Sequence, residues 1–201
     1  MKEKLVMIGA GGHGKVCAEI AKLNGYQTVV FLDDQATHDA AAAGPTSDFM
    51  LYIPDYVFFV AIGNAQTREA FVGKILDAGG TLVSLIHPHS TVSESAIIGW
   101  GSVVMAGAVI NPGAVLGNGV IINTCSSIDH DCSVGDFAHV SVGSHLCGTV
   151  TVGAHTWIGT GATVSNDVSI CGDCMIGAGT VVIRNIQEPG TYVGVPCRRI
   201  K

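Results

Sequence analysis

The chain has 201 residues and a formal net charge of −6, with 10 lysine and arginine residues against 16 aspartate and glutamate residues. It has no basic stripe of the kind that binds nucleic acid, so we expect no nucleic-acid partner. The longest apolar run, which begins at Val57, is too short to cross a bilayer, and glycines interrupt the N-terminal stretch where a signal peptide needs its apolar core. We therefore expect a cytoplasmic protein with no transmembrane segment.

The first part of the chain alternates strand and helix patterns. The sequence predicts a strand that runs into a glycine loop at KLVMIGAGGHG and further strands at TVVFLDD, YVFFVAIGN and LVSLIHP. It predicts helices at KVCAEIAKLNGY, with Gly25 after the helix end, and at AQTREAFVGKILDAGG, and a surface loop over residues 35–54. Strands that alternate with helices are typical of a small parallel α/β domain with a Rossmann-like sheet. We predict this domain over residues 1–86.

A glycine loop follows the first predicted strand. GAGGHG, from Gly9 to Gly14, has the G-x-G-x-x-G spacing, and Asp33 and Asp34 follow at the end of the second strand. In this context backbone N–H groups and a helix N-terminus bind a diphosphate, and a carboxylate meets a sugar hydroxyl. Because only one further strand–helix–strand follows, we interpret the motif as a site for one nucleotide diphosphate rather than for NAD. A glycine turn needed only for packing is the alternative.

An aliphatic residue recurs at every sixth position from Val92 to Val182. The series is Val92, Ile98, Val104, Ile110, Leu116, Ile122, Ile128, Val134, Val140, Leu146, Val152, Ile158, Val164, Ile170, Ile176 and Val182. This period predicts a parallel β-helix, in which six residues form a short strand and a corner and three such units make one triangular coil. Gly, Asn and Asp at the corners tolerate unusual backbone angles. We predict the β-helix over residues 87–201, with stacked residues 18 apart.

The seven cysteines do not indicate a disulfide framework or a metal centre, because their number is odd and their spacing irregular. CGDC, from Cys171 to Cys174, lacks a second CxxC that would complete a zinc site, and the hexad grid explains both cysteines by packing. We therefore predict no metal site.

Six ordered motifs span nearly the whole chain: GAGGHG, FLDD, AIGN, NTCSSIDHDC, FAHVSVG and the terminal VGVPCRRIK. Together they resemble the sialic-acid and aminosugar acetyltransferase family, and within it the members of bacillosamine-type glycan synthesis, which acetylate the 4-amino group of a UDP-linked amino-deoxy sugar. The resemblance implies a left-handed β-helix, acetyl-CoA as the donor, and a homotrimer with active sites between neighbouring subunits.

The same resemblance implies roles for individual residues. His130 corresponds to the general base of a direct acetyl transfer, and His139 to a residue near the acetyl group. Gly148 and Thr160 match positions along the coenzyme groove. The contacts to the UDP-sugar are expected at Gly11, Gly12, His13, Asp33, Asp34, Ile62 and Gly63. This chain carries aspartates beside the histidine, where the bacillosamine-type members have glutamates.

The chemistry of acetyl transfer accounts for these residue types. The nucleophile must lose a proton, and histidine titrates near neutrality. A carboxylate on the other ring nitrogen fixes the tautomer and stabilises the imidazolium. Asp131 is the first candidate for that carboxylate and Asp129 the second. The thioester oxygen gains charge and needs a donor, which His139 or a backbone N–H supplies.

Three other functions fit parts of the sequence. One is an O-acetyltransferase of sialic acid or another sugar. Another is a zinc-dependent, carbonic-anhydrase-like β-helix that uses His87, His89, His145 or His155 at subunit interfaces. The third is a nucleotide-sugar-binding protein without catalysis.

Overall fold

The computed structural model describes residues 4–35 and 42–201, and its contacts divide the chain into two compact units, one ending at Pro88 and the other beginning at His89. Within these described ranges no helix is both long and apolar enough to cross a membrane.

The first unit is a parallel sheet with two helices. Among the described residues the sheet contains β1 (Lys4–Ile8), β2 (Val29–Leu32), β3 (Ala42–Gly44) and β4 (Tyr56–Val60), in the order β3-β2-β1-β4. Helix α1 (Gly12–Leu23) follows β1, and α2 (Ala65–Asp77) follows β4. β1 pairs on both sides and is fully buried from Leu5 to Ile8, so its run of apolar residues forms the centre of the core. The predicted α/β fold is confirmed.

The prediction of a surface loop over residues 35–54 is wrong for the part that can be described; residues 36–41 lie outside the described ranges. Ala42–Gly44 pairs in parallel with β2, and Thr46–Tyr52 forms a 3₁₀ helix. Phe49 is only 9% exposed and meets Phe58 edge to face, with ring centroids 6.4 Å apart. The buried side chain of Phe49 anchors this segment to the sheet. The alanines and prolines of the segment had favoured a loop and gave no sign of this contact.

The prediction that LVSLIHP adds a full strand to this sheet is also wrong. Only Leu82 bridges to β4, opposite Phe58, and β5 (Leu85–Ile86) lies outside the sheet. The side chain of Asn24 makes two hydrogen bonds to the backbone of Ile86: its Nδ2 donates to the Ile86 carbonyl at 2.7 Å, and its Oδ1 accepts the Ile86 N–H at 3.1 Å. These bonds tie Ile86 to the C-terminal end of α1.

The second unit is the predicted parallel β-helix. Its strands are β6 (Thr91–Val92), β7 (Ile97–Ile98), β8 (Val103–Val104), β9 (Val109–Ile110), β10 (Val115–Leu116), β11 (Ile121–Ile122), β12 (Ser127–Ile128), β13 (Ser133–Val134), β14 (His139–Val140), β15 (His145–Leu146), β16 (Thr151–Val152), β17 (Trp157–Ile158), β18 (Thr163–Val164), β19 (Ser169–Ile170), β20 (Cys174–Ile176), β21 (Val181–Val182), β22 (Gly190–Val193) and β23 (Arg198–Arg199).

These strands stack into three ladders, and each parallel step joins residues 18 apart up to β21. One ladder runs β6-β9-β12-β15-β18-β21, the second β7-β10-β13-β16-β19, and the third contains β8-β11-β14-β17-β20-β22-β23. Every grid residue from Val104 to Val182 is buried, at 2% exposure or less. The six-residue period therefore identified the residues that fill the prism.

The corners of the coils use left-handed backbone conformations three residues after each grid position from Ile98 to Ile176. Glycine occupies many of these positions, including Gly101 and Gly113, but Asp131 (φ 57°), Phe137 (φ 57°) and His155 (φ 58°) also adopt them. Backbone hydrogen bonds between successive coils hold these positions, which offsets the steric cost of a left-handed residue with a side chain.

Candidate active site

His130 lies at the corner that follows β12, with its side chain 54% exposed. Its Nδ1 is 2.9 Å from Oδ2 of Asp131, the left-handed residue that turns the chain. The N–H of Asp131 donates to the Pro112 carbonyl at 3.0 Å, and the His130 carbonyl accepts from Thr149 at 2.9 Å. The backbone of this corner is therefore held by the coils on both sides, and the imidazole is held by Asp131 while it remains open to solvent.

The surroundings of His130 favour its protonated form. The hydrogen bond to Asp131 raises the pKa of His130 above its usual value, and the negative charges of Asp129, Asp131 and Asp167 add to the effect. The other ring atoms lie against Gly148, where a Cβ would meet Nε2 and Cε1. Glycine at position 148 is thus required by the close approach of the imidazole.

Asp129 and Asp131 bind different groups at this corner. Its Oδ1 accepts the His130 N–H at 2.7 Å and the Asn111 Nδ2 at 2.8 Å, and these two bonds hold the pKa of Asp129 below its usual value. Asp129 therefore fixes the backbone of the corner, whereas Asp131 contacts the ring.

His139 lies on β14, in a different ladder from β12, and is 7% exposed. Its Nε2 is 3.0 Å from Nδ2 of Asn123, and its ring centroid is 4.4 Å from that of Trp157. Thr160 follows β17 in the same ladder, and its carbonyl accepts from Gly179 at 2.8 Å. The predicted residues of the β-helix thus form two groups on one chain: the His130 corner with Gly148, and the side that carries His139 and Thr160.

In the α/β unit, the glycines of the loop after β1 fall into two kinds. Gly9 has φ 104° and a Cβ there would meet the Ala61 carbonyl, while a Cβ at Gly14 would meet the Gly9 carbonyl. Gly11 and Gly12 have no atom within 4 Å of such a Cβ. Packing therefore explains Gly9 and Gly14, but not Gly11 and Gly12, which stand at the N-terminus of α1 with no side-chain cap.

The two aspartates after β2 bind backbone groups around this loop. Asp33 accepts the Ala10 N–H at 2.6 Å and the Gln35 N–H at 2.7 Å. Asp34 accepts the N–H and the hydroxyl of Thr46 at 2.8 Å each, which lowers the pKa of Asp34. Both carboxylates therefore order the backbone at the carboxyl edge of the sheet.

His13, in the first turn of α1, has a low proton affinity. Burial and the positive charge of Arg68 lower the pKa of His13 to about 4, so its imidazole is neutral at pH 7. Its Nε2 lies 3.7 Å from Sγ of Cys17.

Arg68 was not identified from the sequence. It is 1% exposed, and its guanidinium donates to the carbonyls of Ile62 at 2.8 Å and Gly63 at 2.9 Å, while burial lowers its pKa to about 10. The signal was available, because Arg68, Val72 and Ile75 form the buried stripe of α2 at helical spacing. A charged residue in an apolar stripe indicates a specific task, here the support of the loop after β4.

Within the described ranges, no three His, Cys, Asp or Glu side chains of one chain come together in a group able to hold a metal ion.

Comparisons with known proteins agree with this architecture. Residues 4–75 match the family described as the PglD N-terminal domain. The acetyltransferase domain of PglB from Neisseria gonorrhoeae FA1090, also solved with acetyl coenzyme A, is 40% identical with a TM-score of 0.94, covering 99% of this chain and 100% of that domain. PerB from Caulobacter crescentus, solved with CoA and GDP-perosamine, is 35% identical with a TM-score of 0.94, covering 100% of this chain and 99% of PerB.

A curated relative matches a shorter segment. UDP-N-acetylbacillosamine N-acetyltransferase of Bacillus subtilis (strain 168) is 35% identical over 112 residues, which is 52% of this chain and 52% of that protein. In that alignment the chain spans about half the length of the curated relative.

A parallel α/β unit joined to a hexapeptide β-helix with a carboxylate-paired corner histidine defines the class of hexapeptide-repeat acyltransferase folds. The chain belongs to the aminosugar acetyltransferase family of left-handed β-helix proteins. The left-handed coil that the sequence resemblance implied is confirmed by its match to these acetyltransferase domains.

Proposed function

We propose that this protein transfers the acetyl group of acetyl-CoA to the 4-amino group of a UDP-linked amino-deoxy sugar, as in bacillosamine-type glycan synthesis. The observation that carries the proposal is the 2.9 Å contact between His130 Nδ1 and Asp131 Oδ2 at an open corner of the β-helix. This arrangement is that of a general base whose tautomer is fixed by a carboxylate.

In the proposed reaction Nε2 of His130 accepts a proton from the sugar amine as the nitrogen attacks the thioester carbonyl. The N–C bond forms, the tetrahedral intermediate collapses, and the C–S bond breaks. The proton held by His130 then passes to the departing sulfur, which leaves as free CoA. Asp131 stabilises the imidazolium between the two proton transfers, and the raised pKa of His130 makes it a stronger base.

The acidic corner suits an amine better than a hydroxyl. Part of the amine arrives as ammonium, and the carboxylates of Asp129 and Asp131 attract that form to His130. The lowered pKa of Asp129 keeps its carboxylate charged in neutral solution. A sugar hydroxyl gains nothing from these charges, which disfavours the O-acetyltransferase alternative.

A homotrimer with sites between subunits accounts for the two separate groups of predicted residues. His130 and Gly148 from one subunit and His139 and Thr160 from its neighbour together complete the proposed site, with His139 near the acetyl group. Large apolar side chains on the β-helix are exposed in the single chain, among them Ile97 at 62% and Val142 at 44%, and a subunit contact would cover such groups. Sedimentation is expected to give a trimer, and a fully active monomer would contradict the shared site.

The nucleotide diphosphate is proposed to bind at the carboxyl edge of the α/β sheet. Gly11 and Gly12 leave room for the backbone to approach the phosphates, and the uncapped N-terminus of α1 supplies N–H donors. His13 lies in the first turn of α1, which follows β1. Asp33, Asp34, Ile62 and Gly63 lie on the loops after β2 and β4, and these strands end at the same edge of the sheet.

Purified protein with acetyl-CoA and each of three acceptors tests the proposal: a UDP-4-amino-4,6-dideoxy sugar, GDP-perosamine and sialic acid. CoA release gives the rate, and mass and NMR spectra of the product give the acylated atom. We expect an amide on the UDP-sugar at the highest kcat/KM. Preference for GDP-perosamine would correct the nucleotide, and an ester on sialic acid with no amide on either amino sugar would overturn the proposal.

A further inference from the structure

Two cysteines are in contact at the corner of the β-helix that follows the second ladder's last strand. Sγ of Cys171 lies 3.5 Å from Sγ of Cys174, and both are free thiols. The chain turns between them at Asp173, which adopts the left-handed conformation with φ 57°. Because a disulfide bond is about 2.05 Å long, a movement of about 1.5 Å would join the two sulfurs.

Packing does not account for the side chain of Cys171, which follows β19, the last strand of the second ladder. The position after each earlier strand of this ladder is glycine: Gly99, Gly117, Gly135 and Gly153. A Cβ at any of these glycines would press on backbone atoms of the next coil. A cysteine therefore replaces the glycine only where the ladder ends.

Packing accounts for a small side chain at position 174, but not for a thiol. Cys174 is 2% exposed and opens β20. The equivalent residues of the earlier coils are Ser102, Val120, Ala138 and Thr156. Serine or alanine thus fits this core position, and a thiol there is set apart by its contact with a second thiol.

The two thiols differ in their access to solvent. Burial raises the pKa of Cys174, and its hydrogen bond with Cys171 adds to the effect, so Cys174 stays protonated at pH 7. Cys171 is only partly buried. A reagent in solution therefore reaches Cys171 first, and any group that becomes attached to its sulfur lies beside Cys174.

We propose that Cys171 and Cys174 form a thiol–disulfide exchange site for low-molecular-weight disulfides of the glutathione type. An accessible thiol with a second thiol in contact is the arrangement that such exchange uses. The site lies at a different corner from His130, which follows β12 of the first ladder, so the proposal does not rest on acetyl transfer.

The exchange consists of two displacements at sulfur. Cys171, as its thiolate, attacks one sulfur of the disulfide RS–SR, so that a mixed disulfide forms and one RS⁻ leaves. Cys174 then loses its proton and attacks the Cys171 sulfur, which expels the second RS⁻. The two thiol protons of the protein end on two RSH molecules, and two electrons pass from the protein to RS–SR. The second step is intramolecular and is favoured by the contact between the sulfurs.

The full chain, equilibrated with oxidised and reduced glutathione at a series of ratios, tests the proposal. Free thiols are trapped by alkylation, and mass spectrometry of peptides locates each disulfide. We expect a disulfide between Cys171 and Cys174, with little glutathione left on either residue. At a given glutathione ratio, the ratio of disulfide to dithiol is expected to be at least about tenfold higher in the folded chain than in urea-unfolded chain.

Two variants separate the roles of the sulfurs. Cys174→Ser, which places the residue of Ser102 at the equivalent position, is expected to retain one glutathione on Cys171, at least about tenfold more than the unsubstituted chain. Cys171→Gly, which restores the glycine of the earlier coils, leaves Cys174 alone. We expect Cys174 in that variant to react with oxidised glutathione at least about tenfold more slowly than Cys171 does in Cys174→Ser.

Three results would overturn the proposal. One is a mixed disulfide that persists on Cys171 in the unsubstituted chain, with no bond to Cys174 at any glutathione ratio. Another is an equal ratio of disulfide to dithiol in folded and unfolded chains, because the folded corner would then contribute nothing. The third is equal reactivity of the two cysteines in the single variants, which would remove the assigned order of attack.

Discussion

His13 in the α/β unit and His130 in the β-helix are the same kind of side chain in opposite surroundings. His13 is largely buried near the positive Arg68, and its pKa falls to about 4. His130 is exposed beside Asp131, and its pKa rises. One environment removes the proton at neutral pH, and the other strengthens the nitrogen as a base.

The backbone of each unit explains the difference. The side chain of His13 packs into the α/β unit and loses contact with water, although the glycines before it stay exposed. A β-helix fills its interior with the grid residues and turns its corners outward, so a corner side chain keeps water and takes its partner from an adjacent corner residue. The surroundings of His13 therefore keep its imidazole neutral at pH 7, whereas those of His130 favour the uptake of a proton.

The largest expected effect comes from replacing His130, the exposed histidine of the two. His130→Ala is expected to lower kcat by about 10²–10⁴ with little change in Tm, because a general base is lost and no core contact is. Steady-state kinetics and thermal unfolding measure the two quantities.

His155→Ala is the control for His130→Ala, since His155 is also a corner histidine, with its Nδ1 3.6 Å from Asp173. It is expected to leave kcat within about twofold. Unchanged kcat in His130→Ala would remove His130 as the base.

The next largest effect distinguishes the roles of Asp131 and Asp129 at the His130 corner. Asp131→Asn is expected to lower kcat about ten- to a hundredfold and to move the acidic limb of the pH–rate profile to lower pH. Activity needs neutral His130, so it is lost as pH falls through the pKa of this residue. Asp131 is the main cause of the raised pKa, so its replacement lowers the pKa and extends activity to lower pH.

Asp129→Asn is expected to shift the acidic limb of the pH–rate profile less than Asp131→Asn does. The reason is that Asp129 accepts from the backbone N–H of His130 and does not contact the ring. A larger shift in Asp129→Asn than in Asp131→Asn would reverse the assignment of the two carboxylates.

A smaller effect is expected at the glycine loop. Gly12→Val has space in the free protein, so Tm is expected to change little, while the KM of the nucleotide sugar rises about tenfold or more because the new side chain occupies the phosphate approach. The KM of acetyl-CoA is expected to stay constant.

Gly14→Ala gives the contrast, since its Cβ would press on the Gly9 carbonyl. We expect a loss of about 1–3 kcal/mol in the free energy of unfolding. A nucleotide-sugar KM that is unaffected by Gly12→Val would favour packing as the only role of this loop.

The smallest effect concerns the buried histidine itself. Because folding lowers the pKa of His13 to about 4, the unfolded chain binds more protons between pH 6.5 and pH 4, and the stability from this group is lost as pH falls through that range. Between pH 7 and pH 5 the loss is expected to be about 1–2 kcal/mol and absent in His13→Gln. An NMR titration in which His13 protonates near pH 6.5 would contradict the assigned environment.

The sequence predicted the β-helix in detail because one rule repeats there. Each grid residue from Val104 onward is buried where the period placed it. The errors lie where single side-chain contacts determine the path of the chain: Phe49 anchors a segment that was predicted as a loop, and Asn24 binds the backbone of Ile86. Such contacts join distant positions through a single side chain and leave no periodic signal.

The candidate site was predictable in its motif and not in its geometry. His130 and its flanking acids were visible, but their division of tasks depends on the left-handed backbone of Asp131, which brings the carboxylate to the ring. The two kinds of glycine in the loop after β1 were equally invisible, because packing against Ala61 distinguishes Gly9 from Gly12 only in three dimensions.

The register of 18 residues per coil fixes the spacing along the β-helix in steps of one whole coil. Removing one full coil between Gly148 and Arg184 would keep every later residue on its face and bring the level of Arg184 about 5 Å closer to that of His130. Removing a single hexad would instead turn all later residues by one face, which carries Arg184 to another corner. The distance between two residues of one ladder can therefore change only in coil-sized increments.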